Sequence, residues 1–299
     1  MTDITSSLLT IWKIFWRVVL FFLVWGLLLA SFFVPFTSFL DHLQRETPLL
    51  SRLVGDSVSV ITILFATWLF TRFLDRRPFI TIGFAGGHIV KDILTGLTIG
   101  CLWLCISVGI TLLFGWEAPT QPIGFAWNIL GVSSASMLLN VIAQELLLCG
   151  FILQTVRSRS TVVYAVIVSA LLFSGYHVGA FKGEWLPAVN VFLAGLIFCF
   201  AYIKSGNLWF PISIHFAWDV LLGPVFGLTE SGKTDLGAGW KMFVINGPHL
   251  FTGGPFGLEG GLIVTLIEVL VIIMLYISIT KKMSESLLNS QHQICIKLP

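Results

Sequence analysis

Long apolar stretches recur from one end of this chain to the other, and they limit its fold more than any other feature of the sequence. A helix needs about 20 consecutive, mainly apolar residues to cross the hydrocarbon core of a bilayer. The stretches predicted to do so cover residues 14–36, 56–73, 93–115, 126–156, 162–178, 188–204, 207–227 and 260–280. We therefore predict an all-α fold, a multi-pass transmembrane helical bundle of about eight spans.

The composition supports a membrane protein and argues against a nucleic-acid-binding one. Hydrophobic residues make up 56% of the chain and charged residues 11%, whereas charged residues make up roughly 25% of a soluble globular chain. The net charge of +2 is small and dispersed, while a nucleic-acid surface needs clustered Lys and Arg. The five cysteines show no CxxC spacing, so they are predicted to pack within helices.

The distribution of Lys and Arg predicts how the spans are oriented. With the N-terminus inside, twelve Lys and Arg residues fall in inner segments and five in outer segments. Because inner loops carry the excess of positive charge, both termini are predicted to be cytoplasmic, in an integral protein of the plasma membrane. The first span is too long for a secretory signal peptide, so we expect it to be retained. The sequence predicts no oligomeric state.

The spans and their connections divide the chain into three predicted parts. These are the N-terminal transmembrane helices (residues 1–74), a core (75–227), and an outer Gly-rich segment followed by the last transmembrane helix and a cytoplasmic tail (228–299). Gly96 and Gly100 form a small-xxx-small pair that is predicted to bring two helices into close contact. The outer segment 228–261 either lies on the membrane surface, covers the core or is an ordinary loop, and its large aromatic residues are Trp240, Phe243 and Phe251.

Ionisable side chains inside the predicted spans point to a functional site, because each one is expensive to insert into a bilayer and needs a partner or a role. Four stand out: Glu145 in the fourth span, His177 at the end of the fifth, and His215 and Asp219 in the seventh. Residues four apart share one helix face, so His215 and Asp219 can act together. Gln144 and Glu145 diverge by about 100° around their helix. Only one of that pair is expected to face a shared centre.

The depths of these residues in the membrane are compatible with convergence. The rise per residue of a helix places Glu145 and His215 at similar depths and His177 nearer the outer side, so tilt or a later start of the fifth span would bring His177 closer. Structural roles remain an alternative: hydrogen bonding between helices for His215 and Asp219, packing for Glu145, and an interfacial position for His177. Because four separate structural explanations would be needed in a chain poor in charge, a functional site is the favoured interpretation.

Two chemistries suit these side chains. Glu145, His177 and His215 are candidate ligands for a divalent metal such as zinc, with a position left open for water. Alternatively, a carboxylate and a histidine activate water as general bases, while the second histidine donates to the developing oxyanion. The residue types and their spacing do not separate these two possibilities.

Three short motifs resemble those of the CPBP intramembrane proteases, which include the CAAX-processing prenyl endopeptidases and the bacteriocin-immunity (Abi) proteins. Residues 144–151, QELLLCGF, are similar to the first family motif, EExxxRGF. Residues 173–177, FSGYH, match the second, FxxxH, and residues 215–219, HFAWD, match the third, HxxxN or HxxxD. Each motif is weak alone, but their order and placement on three membrane helices make the combination specific. The resemblance covers roughly residues 75–227.

The resemblance implies a CPBP/Abi-like helical core that cleaves a peptide within or beside the membrane. A glutamate of the first motif and the histidine of the second, His177 here, would activate water. His215 and Asp219 of the third would stabilise the oxyanion, although older descriptions call the family metalloproteases. The expected partners are the lipid bilayer and a membrane-associated or prenylated peptide or protein.

Two departures from the family pattern affect the predicted chemistry. The family's proposed base aligns with Gln144, and an amide cannot accept the proton that a general base takes. The motif's arginine is replaced by Cys149. Either Glu145 rotates into the role, or another carboxylate such as Asp219 takes it over, or the protein is a degenerate, non-catalytic immunity or scaffold protein. We favour a variant that still works as a protease, with Glu145, His177, His215 and Asp219 as its catalytic residues.

A transporter would predict an inverted repeat, and the sequence gives no convincing sign of one.

Overall fold

Helices form nearly all of the computed structural model, which describes residues 2–123, 126–233 and 241–296. Two short strands and several single turns of 3-10 helix connect them. In chain order the elements are α1 (Thr2–Phe33), α2 (Thr37–Glu46), α3 (Pro48–Leu69), α4 (Ile89–Leu113), β1 (Glu117–Ile123), α5 (Trp127–Glu145), α6 (Gln154–Arg157), α7 (Val162–Tyr176), α8 (Trp185–Ser205), α9 (Trp209–Val220), β2 (Lys241–Ile245), α10 (His249–Thr252) and α11 (Leu262–Ile296).

Helices occupy all eight stretches that hydropathy predicts to span the membrane. Six of them, within the described residues, are long and apolar enough to cross a bilayer: Leu8–Phe33, Pro48–Leu74, Ile89–Leu113, Trp127–Arg157, Trp185–Ser205 and Leu262–Lys282. The remaining two stretches hold α7, with 15 residues, and α9, with 12. The prediction of an all-α, multi-pass membrane bundle is confirmed, and the count of eight spans is approximate because these two helices are short.

Helices α4 and α9 pack with their backbones in contact, as the Gly96 and Gly100 pair predicts. A Cβ atom at Gly96 would lie 2.7 Å from Ser213 Cβ, and one at Gly100 would collide with the carbonyl oxygen of Ile214. Both glycines are buried. Two of the α9 residues that they approach, Ser213 and Ile214, directly precede His215. Close packing on α4 therefore fixes the position of this histidine's helix.

A small antiparallel sheet, which hydropathy did not predict, joins two distant parts of the chain. Strand β1 follows α4, and β2 lies in the outer segment 228–261. Their register pairs Glu117 with Ile245 and Ala118 with Val244. The sheet ties the connection between α4 and α5 to the outer segment. Trp240, one of the aromatic residues noted above, lies outside the described residues.

The described part of the outer segment packs onto the helices. Of the three positions that the sequence allowed for it, this matches the one in which it covers the core. The Asn190 side chain of α8 donates from Nδ2 to the carbonyl oxygens of Glu259, at 2.7 Å, and Gly261, at 3.0 Å. Its Oδ1 accepts from the Thr265 hydroxyl of α11 at 2.6 Å. One buried amide thus holds the outer segment, α8 and α11 together.

Polar contacts at one end of the bundle connect the N-terminal helices to the core. Arg17 of α1 lies 2.7 Å from Asp75, which follows α3, and Arg77 lies 3.4 Å from the same carboxylate. Arg77 also donates to Gln154 of α6 at 2.7 Å. The predicted boundaries at residues 74 and 227 remain a prediction, and the first of them falls within this network of contacts.

Candidate active site

His215 lies at the centre of the site, between two carboxylates. Its Nδ1 is 2.8 Å from Oε1 of Glu145, the last residue of α5, and its Nε2 is 3.3 Å from Oδ2 of Asp219 on its own helix. The predicted shared face of His215 and Asp219 is therefore observed. Phe198 of α8 stacks on the imidazole with ring centroids 4.4 Å apart. The contact of Nδ1 with Glu145 is a hydrogen bond, whereas Nε2 and Asp219 lie within ion-pair distance.

A cavity of about 60 Å³ adjoins this histidine, which is room for roughly two water molecules at liquid density. The lining includes side chains from all three motifs and carboxylates that lie outside them. The polar residues of the lining are Gln144, His177, Asn190, His215, Asp219, Glu230, Ser231, Glu259 and Glu268. A small buried volume with so many polar groups is suited to holding the water that a hydrolase consumes.

His177 reaches the cavity from the C-terminal end of α7, although its expected depth placed it nearer the outer side. Its Nδ1 lies 2.9 Å from the carbonyl oxygen of Phe173, which can only accept. In the neutral ring the proton is therefore on Nδ1, and Nε2 is left as an acceptor. The structure brings His177 and His215 to one cavity.

Gln144, and not Glu145, faces the cavity. Gln144 belongs to the lining, whereas Glu145 does not and is fully buried with its Oε1 against His215. The expectation that only one of the pair faces the shared centre is met. Glu145 consequently contacts His215 without lining the cavity.

A line of polar side chains on α5 fixes the orientation of Gln144. Its Nε2 donates to Oδ1 of Asn140, and Nδ2 of Asn140 donates to Oδ1 of Asp56 on α3 at 3.2 Å. The Ser136 hydroxyl donates to the same carboxylate. These α5 residues are spaced by four and lie on one face. Oε1 of Gln144, which has no hydrogen-bond partner, remains as an acceptor.

Two π-helical segments adjoin the site. One, Leu146–Leu153, begins directly after Glu145, and the other, Leu221–Val225, begins two residues after Asp219 and contains Pro224. Proline cannot donate the i to i−4 hydrogen bond, and π turns are frequent at functional sites. The first segment contains Cys149, which is fully buried beside Glu145 and Cys199. A small neutral thiol therefore occupies the place of the motif's arginine.

The predicted metal ligands do not form a metal site as they lie. Within residues 2–123, 126–233 and 241–296, no group of three or more His, Cys, Asp and Glu side chains has a metal-binding arrangement. Carboxylates approach both nitrogens of His215, and a metal would need one of those nitrogens unprotonated. In this geometry, the side chains of Glu145, His177 and His215 therefore do not fit a zinc site.

Three acidic residues of the cavity are absent from the sequence prediction. Glu268 lies in the last predicted span, so the criterion that selected Glu145 also applies to it. Its side chain is 2% exposed and its Oε2 has no hydrogen-bond partner. Glu230 and Glu259 belong to the outer segment, where a carboxylate is ordinary and hydropathy provides no signal. Only the folded chain brings these two to the motif residues.

Glu259 fastens the outer segment to the motif helix. Its Oε1 accepts from Nε1 of Trp218 at 3.0 Å, and its Oε2 accepts from the backbone N–H of Ser231 at 2.6 Å and the Ser231 hydroxyl at 3.2 Å. Burial raises the pKa of Glu259, and the hydrogen bonds from Trp218 and Ser231 oppose that rise. Trp218 directly precedes Asp219. Glu259 therefore holds the outer segment, which covers the cavity, beside the third motif.

Glu259→Ala is expected to release this part of the outer segment. A hydrogen bond to a charged group contributes about 1.5–3 kcal/mol, so hydrogen exchange of the Ser231 amide should accelerate about 10- to 100-fold. Exchange measured by mass spectrometry on the purified protein tests this. Glu184→Ala is the matched control, because Glu184 pairs with exposed His249 at 3.0 Å. Equal exchange at Ser231 in both variants would show that Glu259 does not hold the segment.

Comparison with known families confirms the resemblance drawn from the three motifs. Residues 126–221 match the family model described as "Rce1-like: Type II CAAX prenyl endopeptidase Rce1-like". The matched segment contains α5, α7, α8 and α9, and hence Gln144, Glu145, His177, His215 and Asp219. Comparisons with curated proteins and with solved structures gave no match. The outer segment and α11, which complete the cavity, lie beyond the matched residues.

Proposed function

We propose that this integral membrane protein, related over residues 126–221 to the type II CAAX prenyl endopeptidases, is an intramembrane endopeptidase. It would hydrolyse a peptide bond of a membrane-associated or prenylated peptide or protein. One observation carries the proposal: His177 and His215 from separate helices line one cavity with room for roughly two waters. The distribution of Lys and Arg supports an orientation with both termini cytoplasmic.

The attacking water is assigned to the cavity between the two histidines. His177 uses Nε2 to accept a hydrogen bond from that water and orient it, because its Nδ1–H is directed to Phe173. A carboxylate acts with His177 as general base. His215 donates from Nε2 to the carbonyl oxygen of the scissile bond as negative charge develops there. Glu145 positions the His215 ring by accepting from Nδ1, and Asp219 lies 3.3 Å from the donating Nε2.

A cleavage assay on the protein in liposomes tests the function. The probes are a farnesylated CAAX peptide and the same peptide without the lipid, with products identified by mass spectrometry. His177→Ala and His215→Ala should each reduce kcat/KM at least about 100-fold. His249→Ala is the control, since the His249 side chain is 57% exposed and lines no part of this cavity. Equal cleavage by all four proteins would refute the proposed function.

A second candidate function is a non-catalytic membrane immunity or scaffold protein. Gln144 favours it, because an amide faces the cavity where the resembling family has its proposed base. Such a protein would not cleave either peptide, and Gln144→Glu would be needed to create activity. Cleavage by the wild type that depends on His177 excludes this candidate.

A further inference from the structure

Glu268 is a buried carboxyl group in the most apolar of the six candidate spans among the described residues. This span, Leu262–Lys282 of α11, has a mean hydropathy of 2.8 over its most apolar window. Glu268 is 2% exposed, and its Oε2 has no hydrogen-bond partner in the described part of the chain. A carboxyl group in such a place costs a few kcal/mol when it is unpaired, so it is by default a candidate functional residue. The cavity that Glu268 lines is where such a function would be carried out.

The other acidic residues around the cavity have structural duties. Glu145 is paired through Oε1 with His215 at 2.8 Å, although its Oε2 has no hydrogen-bond partner among the described residues, and Asp219 lies 3.3 Å from the same ring. Glu259 accepts three hydrogen bonds from Trp218 and Ser231. Within the described part of the chain, neither oxygen of Glu268 is in a hydrogen bond or ion pair, and its neighbours in the cavity lining include the apolar side chains of Val191, Ala194 and Val264.

We propose that Glu268 is the proton acceptor of the hydrolysis, in the role that the carboxylate missing at Gln144 would have. This assignment rests on the proposed endopeptidase function. Gln144, His177 and Glu268 line the same cavity of about 60 Å³, and the proposal places one water there, between His177 and Glu268. Nε2 of His177 accepts a hydrogen bond from one hydrogen of the water and orients it, and Glu268 takes the other hydrogen as a proton.

The chemical step balances with water as the only co-reactant. The Glu268 carboxylate accepts one proton from the cavity water as the water oxygen forms a bond to the scissile carbonyl carbon. The tetrahedral intermediate then collapses, the carbon–nitrogen bond breaks, and the Glu268 carboxylic acid returns that proton to the leaving amine. The products are a new carboxyl terminus and a new amino terminus. Glu268 ends as the carboxylate from which it started.

Glu230 is the rival for this role, because its Oε2 also lacks a hydrogen-bond partner. It belongs to the outer segment, which Glu259 fastens through Ser231, whereas Glu268 lies within a long helix. Groups on rigid elements hold catalytic geometry more accurately than groups on connecting segments. Glu268 is also the more deeply buried of the two.

The decisive experiment combines variants at 144, 230 and 268 in the farnesylated-peptide assay. Glu268→Gln keeps the side-chain shape and should lower kcat at least about 100-fold, the usual contribution of a general base. Adding Gln144→Glu supplies a carboxylate from α5 to the same cavity and should restore activity to within about tenfold of wild type. A loss caused only by altered packing of α11 would not be rescued from α5. Glu230→Gln should lose less activity than Glu268→Gln.

The pH profile provides a second readout that does not depend on rescue. Glu268→Asp should keep the fall of kcat/KM at acidic pH that a carboxylate base produces. In Glu268→Gln, the activity that remains should no longer show this fall. Full activity of Glu268→Gln, a larger loss in Glu230→Gln, or no rescue by an active Gln144→Glu background would each overturn the assignment. If cleavage depends on His177 but not on Glu268, the function stands and the assignment fails. If the wild type cleaves neither peptide, both fail.

Discussion

Glu145→Ala is expected to lower the free energy of unfolding by about 1–3 kcal/mol, the penalty for leaving a buried polar group without its partner. Glu145 is fully buried, and its Oε1 lies 2.8 Å from Nδ1 of His215. Truncation leaves Nδ1 without this acceptor inside the bundle and frees the imidazole to turn. Cleavage should therefore fall at least about 100-fold with the loss of the oxyanion donor. Unfolding titrations in mixed detergent micelles and the liposome assay measure the two effects.

Glu145→Gln separates the positioning role of Glu145 from a catalytic one. The amide oxygen of glutamine can still accept from Nδ1 of His215, so the fold and much of the activity should survive. A general base cannot be replaced by an amide. Complete loss of cleavage in a stably folded Glu145→Gln protein would show that Glu145 is itself the base, as one alternative from the sequence holds, and would contradict the positioning role.

Gly100→Ala is expected to separate α4 from α9 and to lower the free energy of unfolding by about 1–3 kcal/mol, as overpacking of a tight contact does. The added methyl group would collide with the carbonyl oxygen of Ile214 and approach Ala217 Cβ to 2.8 Å. Backbone on both sides leaves little room for adjustment. Because Ile214 directly precedes His215, the displacement should also reduce cleavage.

Gly109→Ala is the matched control for this prediction. Gly109 lies in the same helix, and a Cβ atom there would meet nothing within 4 Å. The substitution should be neutral or stabilising by up to about 1 kcal/mol, since alanine favours helix more than glycine does. Equal effects of the two substitutions on stability would mean that contact between α4 and α9 is not the reason for Gly100.

The membrane fold was predictable because hydropathy acts locally. A stretch of about 20 apolar residues needs lipid or a large core whatever lies around it, and the helices occur where such stretches occur. The same holds for Gly96 and Gly100, whose spacing by four places them on one face of α4. It also holds for His215 and Asp219 on α9, since one turn of helix relates them. None of these inferences depends on which other helix is adjacent.

The division of roles between Gln144 and Glu145 could not be predicted from the sequence. Residues adjacent in a helix point about 100° apart, so the choice depends on how α5 is rotated about its axis. That rotation is set by the neighbours of α5 and by the π-helical segment from Leu146 to Leu153. Helical periodicity, on which sequence patterns rely, does not identify such a segment.

The sequence by itself determined a multi-pass helical membrane protein, the motif histidines and the absence of a glutamate at position 144. Only the tertiary structure decided that the cavity is completed by Glu259 and Glu268, which follow the third motif by 40 or more residues. Helix propensity and hydropathy are properties of short segments. The closure of a cavity is a property of how distant segments pack, and here Asn190 and Glu259 determine it through hydrogen bonds between α8, α9, α11 and the outer segment.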